Sequence, residues 1–338
     1  MSDSTPPTPT SLSRIALVAC YFGRLPNYIP LVFQTASFNP TIDWILVGDA
    51  VPDFPLPANV THHPCHIGEV AARIEDACGT PVLIQHPYDL TRLKPTYGLA
   101  FADLLRKYDY WGHVDLDMIY GDLRKFLPEK VLASHERVYA RGHLSVFWNT
   151  PESNRHFMKQ APGAPDYRDI LANRDHRQFD EWDGIWQIYR YHRIPQYHAE
   201  VIADIRPPTE TRIGRFAAME LPNFPRQLFY WHEGRTFQLY YHPEGGLFDR
   251  EVAYIHFQKR RLPTPDFSPT EVRGFTIGPD GFKPYNRENL TRAEIAALNP
   301  ARLRSLSEMI RIKAVRGYRK ARKTLSRMGL CEPPSRYS

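Results

Sequence analysis

The chain of 338 residues contains 42% hydrophobic and 24% charged residues, a composition that allows a buried core in one large α/β domain and excludes global disorder. No signal-peptide pattern and no apolar run of roughly 18 residues occurs, and the four cysteines have no C-x-x-C spacing, so we expect a cytoplasmic protein with reduced thiols. The net charge of +6 is concentrated in residues 301–338, where 11 basic and 2 acidic side chains lie, and the nearly neutral body argues against nucleic-acid binding.

The predicted elements alternate between strands and helices in the first half of the chain. Residues 1–12 are polar and proline-rich, which predicts a disordered leader. Apolar runs at 15–22 and 44–47 predict buried strands on either side of a helix near 28–36, a βαβ unit that requires a parallel sheet. The later predicted elements are helices near 70–77, 96–108 and 184–191, an extended segment at 82–84, short strands around Gly142, and strands at 237–241 and 252–257. We therefore expect one α/β domain over residues 13–290, with a mostly parallel central sheet flanked by helices.

Two aspartates close an apolar segment in YWGHVDLDMIYGDL, residues 110–123. On an extended backbone residues i and i+2 share a face, so Asp115 and Asp117 are expected to point the same way. When two carboxylates lie so near to each other, both stay ionised only beside a cation. Oxygen ligands select Mn²⁺ or Mg²⁺. We predict a divalent-cation site with open positions for substrate phosphates; the alternative is a pair of solvated turn aspartates. Asp122 is expected to cap the helix that follows it.

The same segment, together with CYFGRLPNYIP, LKPTYG, GHLSVFWN and YIHFQKR, resembles a little-characterised bacterial family of GT-A-type glycosyltransferases. More distantly it is similar to glycogenin-type and lipopolysaccharide galactosyltransferases, over roughly residues 14–261. The resemblance implies a GT-A-like, Rossmann-like fold and metal-dependent sugar transfer in surface polysaccharide synthesis. The implied donor is a nucleotide-diphosphate sugar, with UDP favoured, and the implied acceptor is a glycan or a lipid-linked glycan. The alternatives are a metal-dependent nucleotidyltransferase or phosphoesterase and a non-catalytic glycan-binding protein.

The resemblance also implies roles for residues outside the aspartate pair. His256, at the end of a late apolar run, is implied as the third metal ligand, although a lone strand histidine is also commonly a core residue. Asp49 is implied to bind the base or ribose of the donor, and the alternative is that it caps a turn. Lys94 is implied to bind the donor sugar or phosphate, and the alternative is a solvated lysine. The implied donor-binding residues are Tyr21, Phe22, Gly23, Arg24, Asp49, Lys94, Asp115, Gly142, His143, Asn149, Lys259 and Arg260.

Three carboxylates surround a tryptophan in FDEWDG, residues 179–184. Carboxylate oxygens bind sugar hydroxyls and the indole face stacks on C–H groups. In an inverting reaction Asp180, Glu181 or Asp183 is a candidate catalytic base for the acceptor hydroxyl, whereas a retaining reaction needs no dedicated base. The alternative is an acidic helix N-terminus that faces solvent.

Residues 291–338 form a basic segment with helical periodicity. Thr291 to Glu294 match a capping box, and apolar residues recur at helical spacing from Leu303 to Met328 with basic residues on the opposite face. This pattern predicts an amphipathic helical tail that binds an anionic membrane surface, which would place the enzyme at the inner face of the membrane. The alternative is a helix that packs on the body with a charged outer face.

Overall fold

The computed structural model describes residues 12–173, 178–205, 213, 221–224, 226–242, 245–258, 262–267, 270–278, 281–286 and 293–294. The predicted leader lies outside these residues except for Leu12, and the predicted tail lies outside them except for residues 293–294. Lys259 and Arg260 are also outside the described residues. All the described residues belong to one compact unit, Met1–Asn299.

Strands and helices are mixed along the chain as far as β4, and strands dominate the second half. The strands are β1 (Ile15–Cys20), β2 (Ile42–Gly48), β3 (Val60–Pro64), β4 (Tyr110–Val114), β5 (Met118–Tyr120), β6 (Arg137–Arg141), β7 (Leu144–Trp148), β8 (Gln196–Tyr197), β9 (Ile202–Asp204), β10 (Gln227–His232), β11 (Arg235–Tyr241), β12 (Leu247–Val252), β13 (Tyr254–His256), β14 (Gly274–Gly278) and β15 (Gly281–Pro284). The helices are α1 (Ile29–Ser37), α2 (Ile67–Cys78), α3 (Tyr97–Ala100), α4 (Ala102–Leu105), α5 (Leu123–Phe126), α6 (Glu129–Leu132), α7 (Tyr167–Ala172) and α8 (Ile185–Tyr191), with 3-10 helices at Pro87–Thr96 and Ser153–Met158.

A seven-stranded sheet forms the centre of the fold, in the order β3-β2-β1-β4-β7-β6-β8. Strands β1 to β4 are parallel to one another, while β7 runs antiparallel to β4 and to β6. The run in β1 is continuously apolar because both faces of this strand are covered: Leu17 packs in one core cluster and Val18 in the other. The predicted α/β class with a mostly parallel central sheet is therefore confirmed.

Two smaller sheets complete the fold. Five antiparallel strands follow the order β12-β11-β10-β14-β15, and only part of this sheet was expected from the sequence. A three-stranded sheet places β13 between β5, to which it is antiparallel, and β9, to which it is parallel. This small sheet joins a late segment of the chain to the strand that follows the aspartate pair.

Two predicted elements differ from the structure. The helix expected over 96–108 is divided into α3 and α4 at Phe101, and a 3-10 helix that contains Pro95 precedes them. Phe101, with φ -115° and ψ 28°, departs from helical geometry and separates the two short helices. Among the residues that the structure describes, the segment expected to be extended at 82–84 pairs with no strand; Val82 N–H instead donates to Glu75 Oε1 and Leu83 N–H to the Leu171 carbonyl.

None of the helices in the described part of the chain combines the length and the hydrophobicity that a bilayer crossing requires.

Candidate metal centre and its acidic surroundings

The loops after β1, β2 and β4 meet at one edge of the central sheet, because these strands are parallel. Tyr21 follows β1, Asp49 follows β2 and Asp115 follows β4. Burial raises the pKa of Tyr21, and the negative charge of Asp117 adds to the rise. The pKa of Tyr28, just before α1, is also raised, first by burial and then by the negative charge of Asp117. The first loop therefore lies beside the aspartate pair, as expected for ligands that collect beyond the carboxyl ends of parallel strands.

The aspartate pair lies where the chain passes from the central sheet to the three-stranded sheet. Asp115 N–H donates to the His143 carbonyl at 3.0 Å, and the Asp117 carbonyl accepts from Phe257 N–H at 3.0 Å. The backbone bends at Leu116 and Asp117, so the expected alternation along an extended strand is not the reason that the carboxylates converge. Each aspartate is instead held by the ladder of a different sheet.

His256 completes the group. Ligand atoms of Asp115, Asp117 and His256 all lie within 4.8 Å of one another. His256 Nε2 is 3.3 Å from Asp117 Oδ1, because β13 pairs with β5 and brings His256 opposite Met118. Burial alone would lower the pKa of His256, but the carboxylates of Asp117 and Asp204 outweigh burial and raise it to about 10.

Asp204 lies on the other side of the same imidazole. Its Oδ1 is 2.9 Å from His256 Nδ1 and also accepts from Gln258 Nε2. Burial would raise the pKa of Asp204, but the hydrogen bond and charge of His256 outweigh burial and keep it well below the ordinary range.

His143 packs directly on the ring of His256. The two imidazole centroids are 4.3 Å apart with an interplanar angle of 26°, and His143 Nδ1 is 2.7 Å from the Tyr254 hydroxyl. Burial lowers the pKa of His143 far below its ordinary value, and the positive charge of His256 adds to this effect. His143 is therefore a buried, neutral neighbour of the candidate ligand.

Lys94 is a buried cation beside the first aspartate. Its Nζ donates to Asp115 Oδ1 at 2.6 Å and to the Gly142 carbonyl at 2.7 Å. Burial alone would lower the pKa of Lys94, but Asp115 and Asp180 outweigh burial and raise it above the ordinary value. The solvated lysine considered from the sequence does not occur, since Lys94 is only 6% exposed.

Asp180 and Glu181 lie next to Lys94 and Gly142. Asp180 Oδ2 is 3.8 Å from Lys94 Nζ, and Glu181 Oε1 accepts from Gly142 N–H at 3.1 Å. A Cβ atom at Gly142 would lie 2.8 Å from Glu181 Oε1 and closer still to Asp180 Oδ2. Because Gly142 has no side chain, the carboxylates of Asp180 and Glu181 can approach its backbone. Buried Arg137 holds the loop by donating to the Asp180 carbonyl at 2.9 Å.

Burial gives the two acids unusual proton affinity. Burial raises the pKa of Asp180, Lys94 opposes the rise, and Glu181 and Asp115 add to it, so that the pKa lies at about 7. Burial likewise raises the pKa of Glu181. A carboxyl group that titrates near neutral pH can accept or release a proton during catalysis.

Several predicted site residues lie elsewhere or have a structural contact. Phe22 is buried in the core, and Asp49 accepts from Gly23 N–H at 2.8 Å, a bond that joins the loop after β2 to the loop after β1. Asn149 follows the far end of β7, where it donates to carbonyls of Leu105 and Tyr108, so the structure does not bring it to the metal centre. Asp183 is exposed, unlike Asp180.

The loop residues after Gly23 and the helix cap are also defined. Arg24 is exposed, and its carbonyl accepts from the Tyr21 hydroxyl at 3.3 Å. Asp122 accepts from Lys125 N–H at 3.2 Å, which confirms the expected cap at the start of α5. The roles implied for Lys259 and Arg260 remain predictions, because both lie outside the described residues.

Sequence reasoning missed Asp204, Tyr254 and Arg137. Asp204 ends a short apolar run, VIAD, which is a weak sign of an acid at a strand end. Nothing in the sequence connects it with His256, 52 residues later, because that contact depends on the parallel pairing of β9 and β13.

The donor set fits a divalent cation that accepts both oxygen and nitrogen ligands. Two carboxylates and one imidazole suit Mn²⁺ and leave coordination positions for phosphate oxygens. Mg²⁺ also binds through one or two carboxylates together with substrate phosphates. A cation at Asp115, Asp117 and His256 would place positive charge beside these two half-buried carboxylates.

Three comparisons relate the chain to known proteins. A model for a family of unknown function, DUF6625, matches residues 17–286. No curated protein matches the chain. Among solved structures, an active-site mutant of LgtC has a TM-score of 0.36 at 9% identity, covering 72% of this chain and 87% of its own.

Two further structures are similar to this chain. The glycosyltransferase GlyE of Streptococcus pneumoniae TIGR4 has a TM-score of 0.32 at 12% identity, covering 56% of this chain and 46% of its own. Mouse xyloside xylosyltransferase 1 has a TM-score of 0.31 at 9% identity, covering 57% of this chain and 88% of its own. Such scores and identities are too low to transfer any residue role to this chain.

Proposed function

The chain belongs to the DUF6625 family, a family of unknown function, and we propose that it is a divalent-cation-dependent glycosyltransferase with a nucleoside-diphosphate sugar as donor. The observation that supports this proposal best is the convergence of Asp115, Asp117 and His256 within 4.8 Å. These ligands lie at the carboxyl edge of parallel strands, where substrates bind in open α/β sheets. Mn²⁺ or Mg²⁺ is the proposed cofactor.

The residues around the cation would bind the donor and keep the carboxylates of the site ionised. A cation at this position would offset the charge that builds on the leaving diphosphate. Lys94 holds Asp115 in place. Its positive charge, together with that of the cation, would balance the negative charges of Asp180 and Glu181. Tyr21 follows β1 in the loop whose electrostatics Asp117 influences, and we assign it to the donor's nucleoside or diphosphate.

The transfer step needs a destination for one proton. The acceptor hydroxyl oxygen forms the new bond to the anomeric carbon, and the bond from that carbon to the diphosphate breaks with its electron pair on the diphosphate. In an inverting reaction the hydroxyl proton passes to Asp180 or Glu181, and in a retaining reaction it passes to the leaving diphosphate. The pKa of about 7 at Asp180 suits the first route.

The finer assignments follow from the sequence resemblance. We assign a UDP-sugar donor, a glycan or lipid-linked glycan acceptor, and a role in surface polysaccharide synthesis. The basic segment 291–338 is proposed to bind the anionic inner face of the membrane.

A calorimetric donor screen with and without Mn²⁺, followed by a transfer assay, tests the proposed function. We expect a nucleotide sugar to bind only with Mn²⁺, and Asp117→Asn to abolish its turnover while the fold is retained. Asp76→Asn is the matched control, because Asp76 is an exposed aspartate on α2, outside the ligand group and outside the acidic segment 180–183. Metal-dependent turnover that survives in Asp117→Asn would refute the assignment. Release of a nucleoside monophosphate would indicate a phosphoesterase, and metal-independent glycan binding would indicate a binding protein.

A further inference from the structure

We propose that Asp204 is a positioning residue that fixes the ring of His256, so that Nε2 faces the cation held by Asp115 and Asp117. The proposal rests on the metal site of the proposed function, but it does not depend on sugar transfer. No feature of the sequence pattern connects these two residues.

The strand pairing places Asp204 directly beside His256. The two residues are register partners in the parallel pairing of β9 with β13, and Asp204 Oδ1 is 2.9 Å from His256 Nδ1. The other ring nitrogen, Nε2, is 3.3 Å from Asp117 Oδ1. The two nitrogens of an imidazole point in different directions, so a hydrogen bond at Nδ1 determines where Nε2 points. Metal-bound histidines almost always donate their second N–H to a carboxylate, a backbone carbonyl or water, and Asp204 provides the carboxylate here.

A second contact fixes the plane of the ring. The imidazole of His143 stacks on that of His256 at 4.3 Å, and the Tyr254 hydroxyl lies 2.7 Å from His143 Nδ1. The hydrogen bond to Asp204 sets the direction of the His256 ring and the stack limits its rotation. The ligand is therefore held in its binding geometry before the cation arrives, which lowers the entropic cost of binding.

Asp204, His143 and His256 also have ligand atoms within 4.8 Å of one another, so a cation between them is the competing arrangement. Two contacts favour the positioning role instead. Asp204 Oδ1 already accepts hydrogen bonds from His256 Nδ1 and from Gln258 Nε2. A cation on that oxygen would also require His256 to turn its lone pair away from Asp117 and toward Asp204.

Mn²⁺ binding to the full chain, measured by the electron paramagnetic resonance signal of free Mn²⁺, tests the proposal. Loss of a carboxylate that orients a ligand typically weakens metal affinity about 10–100-fold, which we expect for Asp204→Ala. Asp204→Asn retains an acceptor oxygen without the charge and should lose less. We also expect the modulation of the Mn²⁺ signal by the histidine nitrogen to be reduced in Asp204→Ala.

Glu200→Ala is the matched control. Glu200 is a buried carboxylate four residues before Asp204, and it pairs with Arg141 Nη2 at 2.6 Å. Like Asp204→Ala, this variant removes one buried carboxylate charge and should lose thermal stability. Unlike Asp204→Ala, it leaves the hydrogen bond between Asp204 and His256 intact. We expect Mn²⁺ affinity and the nitrogen modulation to be unchanged in this variant.

The possible outcomes separate the proposals. Equal losses in Asp204→Ala and Glu200→Ala, or no loss in Asp204→Ala, would overturn the positioning role. If Asp204→Ala does not fold, unchanged Mn²⁺ affinity in Asp204→Asn would overturn it as well. Loss of Mn²⁺ binding in His143→Phe, with binding retained in Asp117→Asn, would place the cation in the competing group. A wild-type chain that binds no Mn²⁺ would remove the metal site and this role together. A chain that binds Mn²⁺ with the expected variant pattern but transfers no sugar would contradict only the proposed function.

Discussion

Replacing Lys94 by methionine removes the buried cation of the acidic site with little change of shape. Lys94 is 6% exposed, and its Nζ lies 2.6 Å from Asp115 Oδ1 and 3.8 Å from Asp180 Oδ2. Methionine has a similar length and no charge, so the packing of the lysine stem is largely kept. The two carboxylates would then lose the cation that is nearest to both.

The expected loss follows from burial. Removing one partner of a buried ion pair costs about 3–5 kcal/mol, because the other charge is left uncompensated. The Asp115 side chain is 32% exposed and water compensates part of its charge, so we expect a loss in the unfolding free energy near the lower end, about 3 kcal/mol. Lys94 lowers the pKa of Asp180, so without Lys94 that pKa rises further in the folded protein. The folded state then binds more protons than the unfolded state, so stability falls as pH rises. The deficit should therefore be large at pH 8 and smaller at pH 5.

Urea unfolding of the metal-free protein at both pH values measures this effect. The control is Lys125→Met, because Lys125 is 51% exposed and its partner Glu251 also pairs with Arg235, which remains in the variant. Exposed pairs contribute about 0–1 kcal/mol, so this control should change stability little at either pH. Equal losses in the two variants, or a larger loss for Lys94→Met at pH 5 than at pH 8, would refute the reasoning.

Two further substitutions test the acidic pair. Asp180 has a pKa of about 7 against an ordinary value near 3.8, so Asp180→Asn should stabilise the metal-free protein at pH 8, by at most about 4 kcal/mol. It should change stability much less at pH 5, where Asp180 is already protonated; equal shifts in thermal melts at the two pH values would contradict this. Gly142→Ala should cost about 1–3 kcal/mol, because the new Cβ would lie 2.8 Å from Glu181 Oε1. Gly68→Ala is its control, since a Cβ there meets nothing within 4 Å, and a similar loss in both would show that the acidic pair is not the cause.

The first half of the fold was predictable because its signals are local. Continuous apolar runs such as 15–22 occur where a strand is covered on both faces, and the alternation with amphipathic helices indicates a parallel sheet. The second half was harder to predict. Its antiparallel five-stranded sheet is built from strands such as β12, whose exposed and half-buried positions produce a weak pattern. The helix expected over 96–108 is divided because Phe101, which is fully buried, leaves helical geometry, and propensity alone does not predict such an effect of tertiary packing.

The candidate site divides in the same way. From the sequence it follows that Asp115 and Asp117 come after a buried strand, that His256 ends another, and that Asp180 and Glu181 are neighbours, because each of these facts lies within a few residues of chain. Which of these groups meet depends on the three-dimensional fold. The pairing of β13 with β5 brings His256 to Asp117, the pairing with β9 brings in Asp204, and the burial of Lys94 joins Asp115 to Asp180. The physical reason is that strand register and burial depend on the packing of distant segments, whereas periodicity and charge are properties of each segment alone.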